Sequence, residues 1–248
     1  MRYPRGHRGL AVALAAASAL AWLAGCASQK PSPAGLAYDP PQFIRAEAFA
    51  AAESAGSVHV AMTGWSGPIS TVYSADVSAS AGRQVITVTG GGQATVLDVA
   101  GVGYVDGNRL ALVRLFGFPA AEASRLAGRW VSFRSGNPGY QSVVAAATLG
   151  SAVNSLAMSG RLTSTGPRRV GGQPVVGVRG TATPSTSGLP ATKAMLYVAT
   201  TGRLLPVSYQ EAGGNTRLSV VFSRWGETVS VTAPRDAVPI TSVTPGPG

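Results

Sequence analysis

Hydrophobic and polar positions follow three successive patterns along this chain. Residues 10–23 run without a charge, directly after Arg2, Arg5 and Arg8. Over residues 42–54 the apolar positions take a helical spacing. Ile44, Ala48, Ala51, Ala52 and Ala55 share one face, while Arg45, Glu47 and Glu53 lie mostly elsewhere. The period then drops to two. Val58, Val60 and Met62 alternate with His59, Ala61 and Thr63, and strand-like runs follow at 71–78, 83–89, 94–99 and 103–105. Turn material separates them: Gly64-Trp65-Ser66-Gly67-Pro68, Ala81-Gly82, Gly90-Gly91-Gly92, Gly101 and Asp106-Gly107. Connections this short predict an antiparallel meander rather than crossovers through helices.

A helical middle comes next. Asn108 is placed to cap a helix over 109–116, and residues 118–126 give a further turn or two, entered through Pro119. Residues 129–133 read as extended and Asn137-Pro138-Gly139 as a turn. Residues 140–158 then read as the longest helix. Leu149, Val153 and Leu156 follow helical spacing, with Ala145 and Ala146 above them and Gly150 as a weak point. Strand-like segments resume at 160–164, 175–179, 194–200, 204–209, 216–224 and 227–232. The predicted fold class is α+β: a single large curved antiparallel sheet of about ten strands with helices packed on its concave face.

The beginning of the chain has the layout of a secretory signal: basic start, apolar middle, small residues at the end. Its Leu23-Ala24-Gly25-Cys26 ending resembles a bacterial lipobox, in which the cysteine is acylated and becomes the first mature residue. Cys26 is the only cysteine, so nothing competes for that role and no disulfide is available. An unlipidated signal peptide or an uncleaved anchor are the alternatives, but residues 10–23 fall short of the roughly 20 apolar residues that span a bilayer. The resulting division is a signal peptide over 1–25, a lipidated Pro/Ser/Gly-rich tether over 26–41, a domain over 42–238 and a disordered Pro/Gly/Thr-rich tail over 239–248. The expected location is the outer face of the cell membrane.

Composition narrows the function classes. Loss of Arg2, Arg5 and Arg8 takes the formal charge from +10 to +7. Outside the cell a basic surface meets anionic lipid head groups or acidic glycans. The arginines are scattered and lack aromatic-basic motifs, which argues against nucleic acid. His59 is the only histidine after cleavage, so a zinc site is not expected. No Gly-x-Ser-x-Gly is present, and Gly90-Gly91-Gly92 lacks the Lys-Ser/Thr of a phosphate loop. A hydrolase would need His59 beside a serine and a carboxylate such as Asp76 or Asp98. Arg168-Arg169 reads first as a solvated pair and second as a phosphate contact. Trp65, Trp130 and Trp225 read first as packing residues and second as pocket lining.

The second half carries a resemblance. Gly171-Gly172-Gln173-Pro174-Val175-Val176-Gly177-Val178-Arg179-Gly180 precedes Ala194-Met195-Leu196-Tyr197-Val198-Ala199. Gly202-Arg203-Leu204-Leu205-Pro206-Val207 follows, then Val220-Val221-Phe222-Ser223-Arg224-Trp225-Gly226 before Ala233-Pro234. This run resembles the LppX/LprAFG family of mycobacterial envelope lipoproteins, whose half-barrel fold is that of the LolA/LolB carriers. The resemblance implies a membrane-anchored, non-enzymatic lipoprotein with no cofactor. Such a protein would bind or shuttle the acyl chains of an envelope lipid or lipoglycan in a hydrophobic cavity. Candidate lining residues are Val60, Ile86, Val113 and Leu149. The alternative is an adaptor with a filled core, docking a membrane protein such as a transporter.

Overall fold

The structure, a computed structural model, describes residues 38–145, 147–182 and 193–243. The signal peptide, Cys26, most of the tether, Ala146 and the last five residues of the tail lie outside the described residues. Everything described falls within the compact unit Ser32–Gly248.

The chain enters through α1 (Pro41–Ala55). Pro41 starts the helix, and Gly56 ends it at φ +79°, its N–H returning to the Glu53 carbonyl. The predicted meander follows as β1 (Ser57–Ser66), β2 (Ile69–Ser78), β3 (Ala81–Val88), β4 (Gly92–Val99) and β5 (Val102–Gly107). The strands overrun the predicted turns: Gly64, Trp65 and Ser66 belong to β1, and only Gly67 and Pro68 turn. Asp106 and Gly107 likewise belong to β5. Asn108 caps α2 (Arg109–Phe116), its side chain accepting from the Ala111 N–H at 3.0 Å. α3 (Ala120–Leu126) follows Pro119, and β6 (Val131–Arg134) is the predicted extended stretch.

The long helix expected over 140–158 does not form. It divides into α4 (Tyr140–Val144) and α5 (Leu149–Asn154), and Met158 already opens β7 (Met158–Val170). Thr148 is extended and caps α5, accepting from the Ser151 N–H, so the chain restarts a helix there instead of continuing one. β8 (Gln173–Ala182), β9 (Lys193–Ala199), β10 (Pro206–Gly213) and β11 (Thr216–Ser223) complete the main strands. Residues 227–232, expected as a strand, have no ladder partner. They cross the outer side of the sheet near His59 and Asp76. The tail expected from residue 239 is ordered through Val243. β12 (Val238–Pro239) pairs parallel with β6, and a 3-10 turn (Ile240–Ser242) follows.

The strands form one twelve-stranded sheet in the order β12-β6-β5-β4-β3-β2-β1-β11-β10-β9-β8-β7. It is open, and every pairing but β12–β6 is antiparallel. Helices cover one face, here the inner face. Two buried clusters fill the space beneath them. One joins α1 and α5 to β1, β2 and β8–β11 through Ile44, Val60, Leu149, Leu196 and Phe222. The other joins α2, α3 and α4 to β3–β6 through Leu112, Phe118, Val96, Val105 and Phe133. Tyr73 touches both, and burial pushes its hydroxyl up to about 12. The inner face is pinned near the centre of the meander. An added Cβ on Gly82 would lie 1.8 Å from the Ala147 carbonyl oxygen, so only glycine lets the segment before α5 rest on β3.

Candidate functional site: an apolar pocket at the β6 end

A pocket of about 610 Å³ opens where the second cluster reaches the β6 edge. Five segments wall it. The C-terminus of α2 and its exit give Leu115, Phe116, Phe118 and Pro119; α3 gives Glu122. Phe133 of β6 and Val143 of α4 lie across from them, and Ile240 and Val243 come from the ordered tail. Local sequence builds each wall. Gly117, at φ +69°, stops α2, and the Phe118 N–H returns to the Leu112 carbonyl, turning Phe118 inward. Its ring then meets Phe133 edge-on, centroids 6.4 Å apart. Gly139, at φ +82°, starts α4 after the Asn137-Pro138 turn, which the Arg134 N–H fixes by donating to Asn137 Oδ1 at 2.7 Å. The tail is held by the Val238 N–H donating to the Trp130 carbonyl at 2.8 Å.

The lining is mainly aromatic and aliphatic. Glu122, Ser142 and Thr241 are the polar side chains among the residues named for it. Glu122 is buried, with Arg125 one helical turn away at 4.0 Å. The volume lies within the roughly 300–1,000 Å³ of small-molecule pockets, and such a lining recognises hydrocarbon by burial rather than by hydrogen bonding.

None of the four lining residues expected from sequence borders this pocket. Val60 and Leu149 are buried in the first cluster and Ile86 in the second, while Val113 packs at the edge of the second. Sequence reasoning missed Phe116, Phe118, Phe133 and Ile240. The available signal was an aromatic-rich Phe116-Gly117-Phe118-Pro119 turn and two apolar residues, Ile240 and Val243, in a tail otherwise poor in them.

The other chemistry-bearing residues lie elsewhere. His59 faces away from Val58, Val60 and Met62, as the alternation predicts. Its Nδ1 meets Asp76 Oδ1 at 2.7 Å. Arg224 also donates to that carboxylate at 2.8 Å and touches the same imidazole nitrogen. Among the described residues the ring's side-chain partners are Asp76 and Arg224 rather than a serine. Arg168 stacks over the Tyr197 ring at 5.7 Å, and Arg169 donates to the Gly172 carbonyl; both sit in β7 rather than in a free loop. Trp225 packs on Phe222 and donates to the Pro206 carbonyl. Trp65 is exposed on the opposite side of the sheet. Asp98 is buried on the inner face, where desolvation raises its pKa against a hydrogen bond from the Gly101 N–H.

An open antiparallel sheet with helices on one face and an apolar pocket at one end defines the class: a LolA/LppX-like half-barrel. The crystal structure of LprF from Mycobacterium bovis is similar over 78% of this chain and 96% of its own, with a TM-score of 0.50 and 18% identity. The lipoprotein LppX from Mycobacterium tuberculosis is similar over 77% of this chain and 99% of its own, with a TM-score of 0.49 and 18% identity. At such identity the likeness to LprF is one of fold, and it is the fold that the motifs over 171–234 led us to expect. No protein-family model matches the sequence. No curated protein matches it either.

Proposed function

We propose that this protein is an exported lipoprotein, acylated at Cys26 and held to the membrane by the tether over 26–41, that binds the acyl chains of an envelope lipid or lipoglycan. The observation that carries the reading is the pocket of about 610 Å³ walled by Phe116, Phe118, Phe133, Val143 and Ile240. Each methylene taken from water contributes about 0.8 kcal/mol, so a few buried carbons suffice for binding without any polar motif. The role is that of a carrier or presenter rather than of a catalyst. LppX is named a lipoprotein, and the Leu23-Ala24-Gly25-Cys26 ending supports the same for this chain.

The deciding measurement is native mass spectrometry with organic extraction on the chain from residue 26 onward carrying Cys26→Ser, made in an actinobacterial type of host. One co-purifying acyl lipid per chain is expected. Ser142→Trp, which places bulk at the exposed mouth, is expected to abolish uptake of a fluorescent fatty acid and leave the thermal midpoint unchanged. An empty protein that takes up no probe refutes the carrier reading. In the full chain, Cys26→Ala is expected to remove the acyl mass and release the protein from membranes; unchanged mass and retention refute the anchor.

One observation favours a second reading, the adaptor with a filled core. Both buried clusters are packed, and the Gly82–Ala147 contact closes the inner face between them. An empty protein with a stable membrane-protein partner would establish it.

A further inference from the structure

The outer face of the sheet carries a second feature, independent of the pocket. A groove of about 620 Å³ crosses β1, β11, β10, β9 and β8. The register sets its side chains in one row. Trp65 pairs with Arg217, Arg217 with Ala212, Ala212 with Lys193, and the neighbouring Met195 with Arg179. Directly paired antiparallel residues share a face, and their alternates Leu218 and Ala194 pack into the inner cluster. The row therefore points outward. Glu211 also lines the groove and accepts from the Tyr209 hydroxyl at 2.8 Å, so Arg179, Lys193 and Arg217 outnumber the acid there by three to one.

Exposed apolar side chains share this face. Trp65 is 43% exposed, and Val72 and Val221, also outward by register, are each 49% exposed. At that exposure they are not core residues reaching the surface. They stand on β1, β2 and β11 of the same face as the three cations, interspersed with Thr63, Ala61 and Ser219. The cations stand on β11, β9 and β8, about 14 Å apart at the extremes at the usual strand spacing. Such a spread suits an extended layer of negative charge better than a single phosphate. Tryptophan beside basic residues is the composition of surfaces that sit at the head-group level of a bilayer.

We infer that this outer face docks on an anionic phospholipid surface, Trp65, Val72 and Val221 entering the head-group region while Arg179, Lys193 and Arg217 meet the lipid phosphates. The contact goes beyond the cavity reading and does not depend on it. It would set the domain's orientation on a membrane, which a flexible tether alone leaves free.

The test uses the chain from residue 26 onward with Cys26→Ser, which contains all of the described fold and no acyl chain. It is co-sedimented with vesicles of phosphatidylcholine, with and without phosphatidylglycerol. Binding is expected only with phosphatidylglycerol. The triple variant Arg179→Gln, Lys193→Gln, Arg217→Gln is expected to lower the partition coefficient by about a hundredfold, from roughly fivefold per cation. Brominated lipid should quench emission in the parent and not in Trp65→Phe. All variants change exposed positions, and their acyl-probe uptake and thermal midpoint should match the parent. Equal partition into both vesicle types overturns the inference, as does a triple variant that binds like the parent. Binding that survives the triple variant but is lost in Ser142→Trp assigns the contact to the pocket and also overturns it. Binding to an acidic soluble protein with none to vesicles overturns it in favour of a protein partner.

Discussion

Replacing Gly82 by alanine tests the physical argument on which the closed inner face rests. The new Cβ would sit 1.8 Å from the Ala147 carbonyl oxygen, 2.8 Å from the Ala147 carbonyl carbon and 3.2 Å from Val77 Cγ1. A carbon and a carbonyl oxygen approach to about 3.3 Å at closest, so the Ala147 peptide must withdraw by about 1.5 Å. It cannot rotate away as a side chain would. Ala147 is fully buried, with Val144 and Leu149 buried on either side, so withdrawal loosens both clusters. Overpacking of this kind costs about 1–3 kcal/mol, and backbone against backbone belongs at the upper end. Alanine in the unfolded chain returns about 0.4–1 kcal/mol, since Gly82 has no left-handed φ to lose. The net is about 2 kcal/mol of destabilisation, or a thermal midpoint about 4–8 °C lower for a domain of this size. Two glycines in the same sheet serve as rulers. At Gly103 the Cβ meets Val144 and Val143 methyls at 2.9 and 3.0 Å, which can turn aside, so about 1 kcal/mol is expected. At Gly64 the nearest atom is 3.7 Å away, and alanine should be neutral or slightly stabilising. Urea unfolding of the three variants reads the series directly. Gly82→Ala as stable as Gly64→Ala would show that Ala147 is not seated on β3, and the closed inner face would go with it.

Two further outcomes follow from single side chains. Asn108 accepts from the Ala111 and Gln93 N–H groups and donates to the Gly91 carbonyl at 2.6 Å, tying α2 to the β3–β4 turn. Asn108→Ala should cost about 2 kcal/mol, read by denaturation, with Asn108→Asp in between because it keeps the acceptor and loses the donor. Asp98, its pKa raised by burial, binds its proton more tightly folded than unfolded. Its contribution is thus complete below the ordinary carboxylate pKa of about 4 and is lost as pH rises through the raised value. Unfolding free energies of the parent should fall relative to Asp98→Asn from acid to neutral pH; parallel profiles would contradict the buried carboxyl.

The meander was legible because its code is local. Val58, Val60 and Met62 state the face, and Gly90-Gly91 and Gly101 state the turns. Asn108 was legible as a cap for the same reason. The failures share one cause, a dependence on something distant in sequence. The Ala-rich stretch after Tyr140 has helical spacing throughout, but spacing cannot see that Gly82 draws Ala147 onto the sheet and that Thr148 restarts the helix. Val229 and Val231 alternate like a strand yet find no ladder. Val238-Pro239-Ile240 has no period and still orders, because β6 offers an unpaired edge. The pocket was illegible on the same ground. Alternation assigns Val60 and Ile86 to the inner face, but whether an inner residue meets a helix or a void depends on where helices end.

Where they end decides how much ligand this fold can take. Among the described residues the inner face holds buried side chains under α1 and α5, and the Ala147 peptide closes its centre, so under the proposed function hydrocarbon would enter at the β6 end. Of the three α-helices there, α4 is held least. It has five residues, an N-terminus without a side-chain cap, and two buried side chains, Val143 and Val144, that rest on Gly103. Elements with few buried contacts open at the smallest free-energy cost. Space for a longer chain would therefore come from α4 lifting off Gly103 before it came from the packed centre. The length of acyl chain retained reports on that movement. A preference for short chains means α4 stays seated, whereas long chains bound as tightly as short ones mean that the pocket extends beneath it.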